Sequence, residues 1–498
     1  MRRLAAIAIV LAVASLDAGA SSSRLADAIQ NGDKEAVRML LKDPAQVKSV
    51  DGDGTTPLHW AVRTDDLDTS RLLIKAGANA TVANRYGVTP LSLAAVNGNA
   101  AMIELLLASG ADPNTTVSHG QTVLMTAART GNVAAVRALV DKGAKVNARE
   151  DQLGETPLMW AASENHADVV QLLIDRGAEV NGRSSTIAFP KDRFGLEGVL
   201  TILPHGNWTP LMYAGRDGGV DAVRVLARAG AEVNATDPDG TTPLMLAIMN
   251  SHYDTANALL ESGADPNVVD KAGMAALYAT VDMSSLGEVY GLPPRKVNDT
   301  VTPTALMSKL IAKGAVVDAR LKTPTIQRNH TPGEPLLGAG TTPLMRAARN
   351  GDYAAVKILL DAGADPKLTQ PNGTNALMMS AGVGRGLGVF AKDVGTESDL
   401  KQAAELLVDK GVDVNLANDN GLTAVHIAAQ AGLDSVVTLL AKHGAKLDVK
   451  DKRGRTPVDM AMGVGGRGRA GGPPPVYERT AALIKKLAAE SNSAAPAR

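Results

Sequence analysis

The stretch Thr56-Pro57-Leu58-His59 decides the fold, because close variants of it recur along the chain at a nearly fixed spacing. Thr89-Pro90-Leu91-Ser92 follows 33 residues later, and Thr122-Val123-Leu124-Met125 follows after another 33. The same slot is filled again at Thr156, Thr209, Thr242, Ala275, Thr342, Asn375, Thr423 and Thr456. Such self-similarity predicts a solenoid, in which each repeat packs only against its neighbours.

A second landmark fixes the phase of the repeat, since a Gly-Ala pair follows the Thr slot by 21 residues in most repeats. The spacing predicts two short helices between the landmarks. Thr supplies a side-chain oxygen that caps the first helix, and Pro suits its first turn. The glycine ends the second helix. These glycines are Gly77, Gly110, Gly143, Gly177, Gly230, Gly263, Gly363 and Gly444.

Together these landmarks resemble the ankyrin repeat family, whose unit carries the pattern Gly-x-Thr-Pro-Leu-His-x-Ala-Ala. Gly54–Ala61 and Gly421–Ala429 match the first half of that pattern, and Leu72–Ala78 matches the second. The resemblance implies a mainly α fold, an ankyrin-repeat solenoid of helix-turn-helix units joined by β-hairpin fingers. Eleven modules match, after a helix pair at Arg24–Lys42 that resembles an N-terminal cap.

Departures from the pattern are expected to have local consequences. Ala275 and Asn375 replace the capping Thr, so we expect their two modules to be looser than the others. Methionine replaces the motif histidine in six modules, where we expect it to fill space between modules. These residues are Met125, Met159, Met212, Met245, Met345 and Met378.

The predicted organisation has four parts. Residues 1–20 pair basic residues with a short apolar run and small residues, which predicts a secretory signal peptide and a periplasmic or secreted protein. Residues 21–50 form the N-terminal capping helix pair, residues 51–490 the repeat array, and residues 491–498 a disordered tail. Insertions interrupt the array near residues 182–206, 283–301, 319–340, 385–399 and 463–477.

Composition excludes several function classes. The net charge of −1 gives no global bias toward nucleic acid or anionic membranes. With no cysteine, the chain has no disulfide, thiolate metal site or covalent haem attachment. No later segment is long and apolar enough to predict stable membrane insertion once the signal peptide is removed.

Motifs for catalysis and cofactor binding are also missing from the sequence. It contains no nucleophile elbow, zinc-protease helix or phosphate-binding Gly-Lys-Thr loop. His59 and His426 fill the repeat motif, where the resemblance implies that the imidazole bonds neighbouring loop backbone. The remaining histidines lack metal-ligand spacing. We therefore expect no cofactor and no metal.

The three phenylalanines all lie in insertions: Phe189 and Phe194 in the first, and Phe390 in the fourth. A repeat core of Leu, Ala, Val and Met does not need these rings. Two interpretations remain open. The rings fold back on the helices as a small core, or they form an apolar docking surface for a partner.

Arginine recurs seven residues after the Thr slot, at Arg63, Arg129, Arg216 and Arg349. In proteins with this resemblance, the position lies on the exposed end of the first helix, faces the concave side and commonly contacts a partner. With helix layers about 8–10 Å apart, Arg63 and Arg129 are about 16–20 Å apart. That exceeds the Debye length of about 8 Å. The arginines are therefore spaced contacts along an extended acidic partner, or simply solvated surface charge.

The leading functional expectation, implied by the resemblance, is a non-enzymatic scaffold or adaptor in the cell envelope. It binds another protein through the concave face and the fingers. The alternative is a pocket built from the insertions that binds a small ligand or supports catalysis. Buried polar groups converging beneath the insertions would favour the alternative.

Overall fold

The computed structural model describes residues 23–186, 206–285, 299–325, 335–384, 395–465 and 473–493. The chain divides into two compact units, Met1–Ser185 and Thr186–Arg498, and each is described by itself. In these ranges no helix has the length and apolar character needed to cross a membrane.

The first unit is a succession of short helix pairs. Its helices are α1 (Arg24–Gln30), α2 (Lys34–Leu40), α3 (Pro44–Val47), α4 (Pro57–Arg63), α5 (Leu67–Lys75), α6 (Pro90–Asn97), α7 (Ala100–Ala108), α8 (Val123–Thr130), α9 (Val133–Asp141), α10 (Pro157–Ser163) and α11 (Ala167–Asp175). A 3₁₀ turn covers Ser118–Gly120. The first helices α4, α6, α8 and α10 pack side by side, and the second helices α7, α9 and α11 do the same behind them.

The second unit repeats this arrangement. Its helices are α12 (Pro210–Asp217), α13 (Val220–Arg228), α14 (Pro243–Met249), α15 (Tyr253–Glu261), α16 (Ala276–Ser285), α17 (Pro303–Ala312), α18 (Pro343–Asn350), α19 (Tyr353–Asp361), α20 (Ala376–Ser380), α21 (Glu397–Asp409), α22 (Ala424–Ala431), α23 (Asp434–Lys442), α24 (Pro457–Ala461) and α25 (Glu478–Ser493). A 3₁₀ turn covers Pro335–Leu337. First helices again pack on first helices, and second helices on second helices. The predicted helix-turn-helix solenoid is confirmed within each unit.

Threonine caps explain why the first helices begin where they do. The Thr89 hydroxyl accepts a hydrogen bond from the Ser92 backbone N–H at 3.1 Å, which satisfies one of the open donors of the first turn. The same cap occurs at Thr56, Thr122, Thr156, Thr209, Thr242, Thr342 and Thr456. Proline follows most of these caps.

The expectation of a lost cap at Asn375 is wrong. Its side-chain oxygen accepts a hydrogen bond from the Met378 backbone N–H at 2.9 Å. Asparagine is as good an N-cap as threonine, since its amide oxygen reaches the same donor. Ala275 has no such side-chain atom, so only its module keeps the predicted weakness.

Methionines in the motif slot serve both packing and capping. All six are buried, as expected for residues that fill space between modules. In two of them the thioether also accepts a hydrogen bond. The Thr122 and Thr156 backbone N–H groups donate to the sulfur atoms of Met125 and Met159, each at 3.4 Å. Methionine thus replaces the ring nitrogen of the motif histidine.

Fingers between modules are tight turns tied to one another. The Asp51 N–H donates to the Thr55 carbonyl at 2.8 Å and closes one turn, and the Arg85 N–H donates to the Asp53 carbonyl at 2.8 Å and joins the next finger to it. Among the described residues, strand pairing is limited to isolated bridges such as Thr116 with Thr122. The predicted hairpins are therefore too short to form a regular sheet.

Insertions and termini are only partly described. The returning end of the insertion near residues 283–301 is held by Asp254, whose carboxylate accepts hydrogen bonds from the N–H groups of Thr300 at 2.9 Å and Val301 at 2.8 Å. Helix α25 extends to Ser493, so residues 491–493 do not belong to the expected tail. The expected signal peptide at residues 1–20 lies outside the described residues.

Candidate functional site

The first unit carries a line of side chains on its first helices, at the fourth and seventh positions after the Thr slot. We call this the arginine–tryptophan face. Of these eight positions, Thr126 is buried and Ser163 is half-buried, and the face consists of the other six: Trp60, Arg63, Leu93, Val96, Arg129 and Trp160. Helices α4, α6, α8 and α10 supply it in order, because each module presents the same two positions to the same side.

Both arginines of this face lie over indole rings. The guanidinium carbon of Arg63 is 5.2 Å from the centroid of the Trp60 ring in its own helix. That of Arg129 is also 5.2 Å from a ring centroid, but the ring is Trp160 in the next module. Both distances fall in the range of a cation–π interaction. The ring occupies one face of each guanidinium and leaves the in-plane N–H donors available for other partners.

Hydrogen bonds hold the Trp60 ring and the end of α8 in place before any partner arrives. The Trp60 indole N–H donates to the Asp51 carboxylate at 2.7 Å, and that carboxylate also accepts from the Ser23 backbone N–H at 3.2 Å. The His166 ring nitrogen lies 2.9 Å from the Arg129 carbonyl oxygen and pins the end of α8. Contacts behind the face therefore hold Trp60 and the end of α8, whereas the buried indole N–H of Trp160 has no hydrogen-bond partner among the described residues.

The arginine charges on this face are open to solvent. Arg63 and Arg129 are exposed, and Val96 between them is 49% exposed. In the part of the chain that the structure describes, no ion pair joins either arginine to a carboxylate. The face thus has two cationic groups about an exposed apolar centre.

Arg216 stands at the same position in the second unit but is neutralised by a neighbour. Its guanidinium lies 5.1 Å from the centroid of Trp208 and 5.0 Å from that of Tyr213. It also forms an ion pair of 2.6 Å with Asp217, and its side chain is only 24% exposed. Its availability to a partner is accordingly lower than that of Arg63 or Arg129.

The expectation that Arg349 is an exposed contact is wrong, because its side chain is fully buried. Asp282 occupies the same register position in an earlier module of this unit. Its carboxylate pairs with Arg346 at 2.5 Å, and Arg346 also donates to Asn350. A buried arginine requires such ion-pair and hydrogen-bond partners, because an unpaired charge is costly to remove from water. This register position therefore belongs to the interior in the α16–α18 region.

Tryptophans are the site residues that the sequence reasoning missed. The chain has three, and each lies under one of the predicted arginines. Trp60 and Trp160 lie four residues after the Thr slot, three residues before the arginine position. The repeat alone therefore indicates that the tryptophans and arginines share one face of the first helices. Phe189 and Phe194, the other predicted contacts, lie outside the described residues, as does Phe390.

Histidines in the repeat motif have the expected structural role. His59 lies with a ring nitrogen 3.0 Å from the Val88 carbonyl oxygen of the next finger, and His426 contacts Arg455 in the same way at 3.3 Å. Burial lowers the pKa of both imidazoles, because the charged form loses hydration. They join fingers and are not placed for catalysis.

A cavity of about 250 Å³ lies in the second unit between the fingers around Leu336 and Gln370. The residues that line it are Leu336, Gly338, Ala339, Gln370, Pro371, Asn372, Thr374 and Val383. None of these side chains ionises in the physiological range. In the described ranges no cluster of three or more His, Asp or Glu side chains could hold a metal ion.

Comparisons with known families agree with this architecture. The model for "Ankyrin repeats (3 copies)" matches residues 25–117, 115–184, 194–270 and 394–466, and the single "Ankyrin repeat" model matches residues 339–370. These segments together cover more than half of the chain.

Similar proteins include two kinase inhibitors. Human cyclin-dependent kinase 4 inhibitor B is 36% identical over 156 residues, which are 31% of this chain and 97% of that protein. Human cyclin-dependent kinase inhibitor 2A is 34% identical over 140 residues, 27% of this chain and 79% of that protein. Mouse ankyrin repeat and SOCS box protein 16 is 31% identical over 121 residues, 24% of this chain and 25% of that protein.

Proposed function

This chain belongs to the ankyrin repeat family, and we propose that it is a non-enzymatic scaffold or adaptor that binds another protein. Binding would use the first helices and the fingers of its modules. The signal-peptide pattern of residues 1–20 further suggests that it works in the periplasm or outside the cell.

The observation that carries this proposal is the arginine–tryptophan face. Among the described residues, Arg63 and Arg129 form no ion pair; each lies over an indole ring, and the Trp60 ring is held by a hydrogen bond to Asp51. Tryptophan and arginine are the residues that dominate protein interfaces. Preorganisation lowers the cost of ordering side chains on binding. Two of the similar proteins are named as inhibitors of a cyclin-dependent kinase, which is consistent with a binding role.

The alternative of a ligand or catalytic pocket is favoured by the buried Asp282, Arg346 and Asn350, which lie beside the insertion near residues 283–301. These groups are bonded to one another, however, which weakens that support. The cavity near Leu336 has no ionisable lining group, and the histidines of the repeat motif are engaged with finger backbone. The insertion that contains Phe189 and Phe194 stays a second candidate contact for the partner, which is one of the two interpretations that the sequence leaves open.

Affinity capture from a periplasmic extract tests the proposal, with the mature chain as bait. We expect a specific protein to be retained, and its yield to fall at least tenfold with the double variant Arg63→Gln, Arg129→Gln. Arg216→Gln is the matched control, because that arginine is already paired with Asp217. Retention of no protein would contradict a binding function. Equal yields from all three baits would contradict a role for this face.

A further inference from the structure

We propose that the arginine–tryptophan face takes an extended segment of the partner in which two acidic residues, about six positions apart, flank an apolar residue. The inference rests on the proposed function and specifies the chemistry that the face recognises. It concerns the first unit alone.

Charge indicates the acidic residues. Within the second unit, arginines at or beside the same register find carboxylates in the chain itself: Asp217 pairs with Arg216, and Asp282 with Arg346. The first unit offers no such carboxylate to Arg63 or Arg129 among its described residues. The partner would supply what Asp217 and Asp282 supply elsewhere, through the in-plane donors that the indole rings leave accessible.

The middle of the face indicates the apolar residue. Val96 occupies the register position between the two arginines and is 49% exposed, and Leu93, one helical turn before it, is half-buried. An apolar side chain of the partner would cover Val96 and remove it from water. A third acidic residue at this point would lose hydration without gaining a counter-charge.

Geometry sets the spacing. The helix positions of Arg63 and Arg129 are two modules apart, about 16–20 Å at packed-helix distances. The upper end of this range applies to the charged groups, because the Arg129 guanidinium lies over Trp160 of the next module. An extended chain rises about 3.3 Å per residue, so its two acids stand five or six positions apart. Side chains alternate between faces of an extended chain, which selects six and places the apolar residue at the second or fourth position after the first acid. A helix would need about 11–13 residues for the same span.

Each arginine should act independently, because their separation exceeds the Debye length of about 8 Å at physiological salt. Contributions from well-separated sites add. The single variants should therefore weaken binding by similar factors, and the double variant by their product.

Selection from a phage-displayed library of random 16-residue peptides tests the inference with the full mature chain as target. We expect enriched peptides to carry Asp or Glu at positions i and i+6 with Leu, Ile, Val, Phe or Met at i+2 or i+4. In fluorescence titrations, Arg63→Gln and Arg129→Gln should each raise the Kd of the most tightly bound peptide at least fivefold. Arg216→Gln should raise that Kd less than twofold. Binding should also weaken as NaCl is raised from 50 to about 300 mM.

Several outcomes would overturn the inference. These are the absence of enriched peptides, enrichment without the paired acids, acids at helical spacing, and affinities that the Arg63 and Arg129 variants leave unchanged. The two proposals remain distinguishable. A native partner whose capture depends on these arginines, combined with peptides lacking paired acids, would keep the binding function and reject this chemistry.

Discussion

Single side chains close the turns of the fingers. The residue five positions before the Thr slot does so by accepting hydrogen bonds from backbone N–H groups of its own turn. Asn84 accepts hydrogen bonds there from the N–H groups of Tyr86 and Val88, each at 3.0 Å. Asp270 takes the same role and accepts from the Met274 N–H at 2.8 Å. Burial, helped by the nearby charges of Asp237 and Asp239, raises the pKa of Asp270 to about 6.

The Asp270→Asn variant should be more stable than the wild type at pH 7. The pKa of Asp270 is about 6 in the folded chain against an ordinary value of 3.8, so the folded state binds the proton more tightly. Its contribution to the free energy of unfolding is therefore full below pH 4 and falls as pH rises to about 6. An asparagine oxygen accepts the same hydrogen bond without carrying charge, as Asn84 does.

Urea unfolding between pH 4 and 8 measures this effect. At pH 7 we expect the free energy of unfolding of Asp270→Asn to exceed that of the wild type by on the order of 1–3 kcal/mol. Near pH 4 the two proteins should differ little. Asp265→Asn is the control, because Asp265 lies in the same module but is exposed. Parallel pH profiles for wild type and Asp270→Asn would show that burial of this carboxylate does not limit stability.

At the scale of the helix, caps distinguish strong modules from weak ones. Asn375 caps α20 through its side chain, whereas Ala275 offers no side-chain acceptor at the start of α16. The absence of a cap costs on the order of 1 kcal/mol. In a repeat array such a loss acts locally, because each module is stabilised only by its neighbours.

Hydrogen exchange by mass spectrometry should reveal the difference. We expect amides of α16 (Ala276–Ser285) to exchange at least several-fold faster than those of α14 (Pro243–Met249), a capped first helix in the same unit. Amides of α20 (Ala376–Ser380) should exchange more slowly than those of α16. Equal protection of α14 and α16 would mean that packing compensates fully for the missing cap.

Helices and their caps were predictable because they depend on residues within one module. The exposure and contacts of the arginines were not predictable, because they depend on residues from other modules. Arg129 lies over Trp160 from the next module, and Arg349 is buried in a region where Asp282, well upstream in sequence, pairs with Arg346. A repeat register predicts which positions are equivalent. It does not predict which neighbours each one meets.

At the scale of the whole molecule, the arginine position seven residues after the Thr slot has a different environment in the two units. Among the described residues, Arg63 and Arg129 of the first unit form no ion pair, whereas Arg216 of the second unit is paired with Asp217 and Arg349 is buried. A net charge of −1 conceals this difference. The proposed interaction is therefore local to one unit, although both units share one architecture.

The proposed export predicts where the native protein begins. The first described residue, Ser23, caps α1 by accepting a hydrogen bond from the Ala26 N–H at 3.0 Å. Cleavage before Ser21 would remove the apolar segment and leave this cap intact. N-terminal sequencing of the native protein should begin at Ser21. A protein that keeps Met1 and fractionates with the cytoplasm would contradict the proposed location.

Hydrogen-exchange footprinting of the full mature chain with its captured partner tests the central claim most directly. Binding should protect the ends of the first helices in the first unit, around Trp60–Arg63, Leu93–Asn97 and Leu124–Arg129, from exchange. The same protection should be lost when the partner is mixed with the Arg63→Gln, Arg129→Gln variant at equal concentration. Protection confined to the second unit, or unchanged in the variant, would contradict the account.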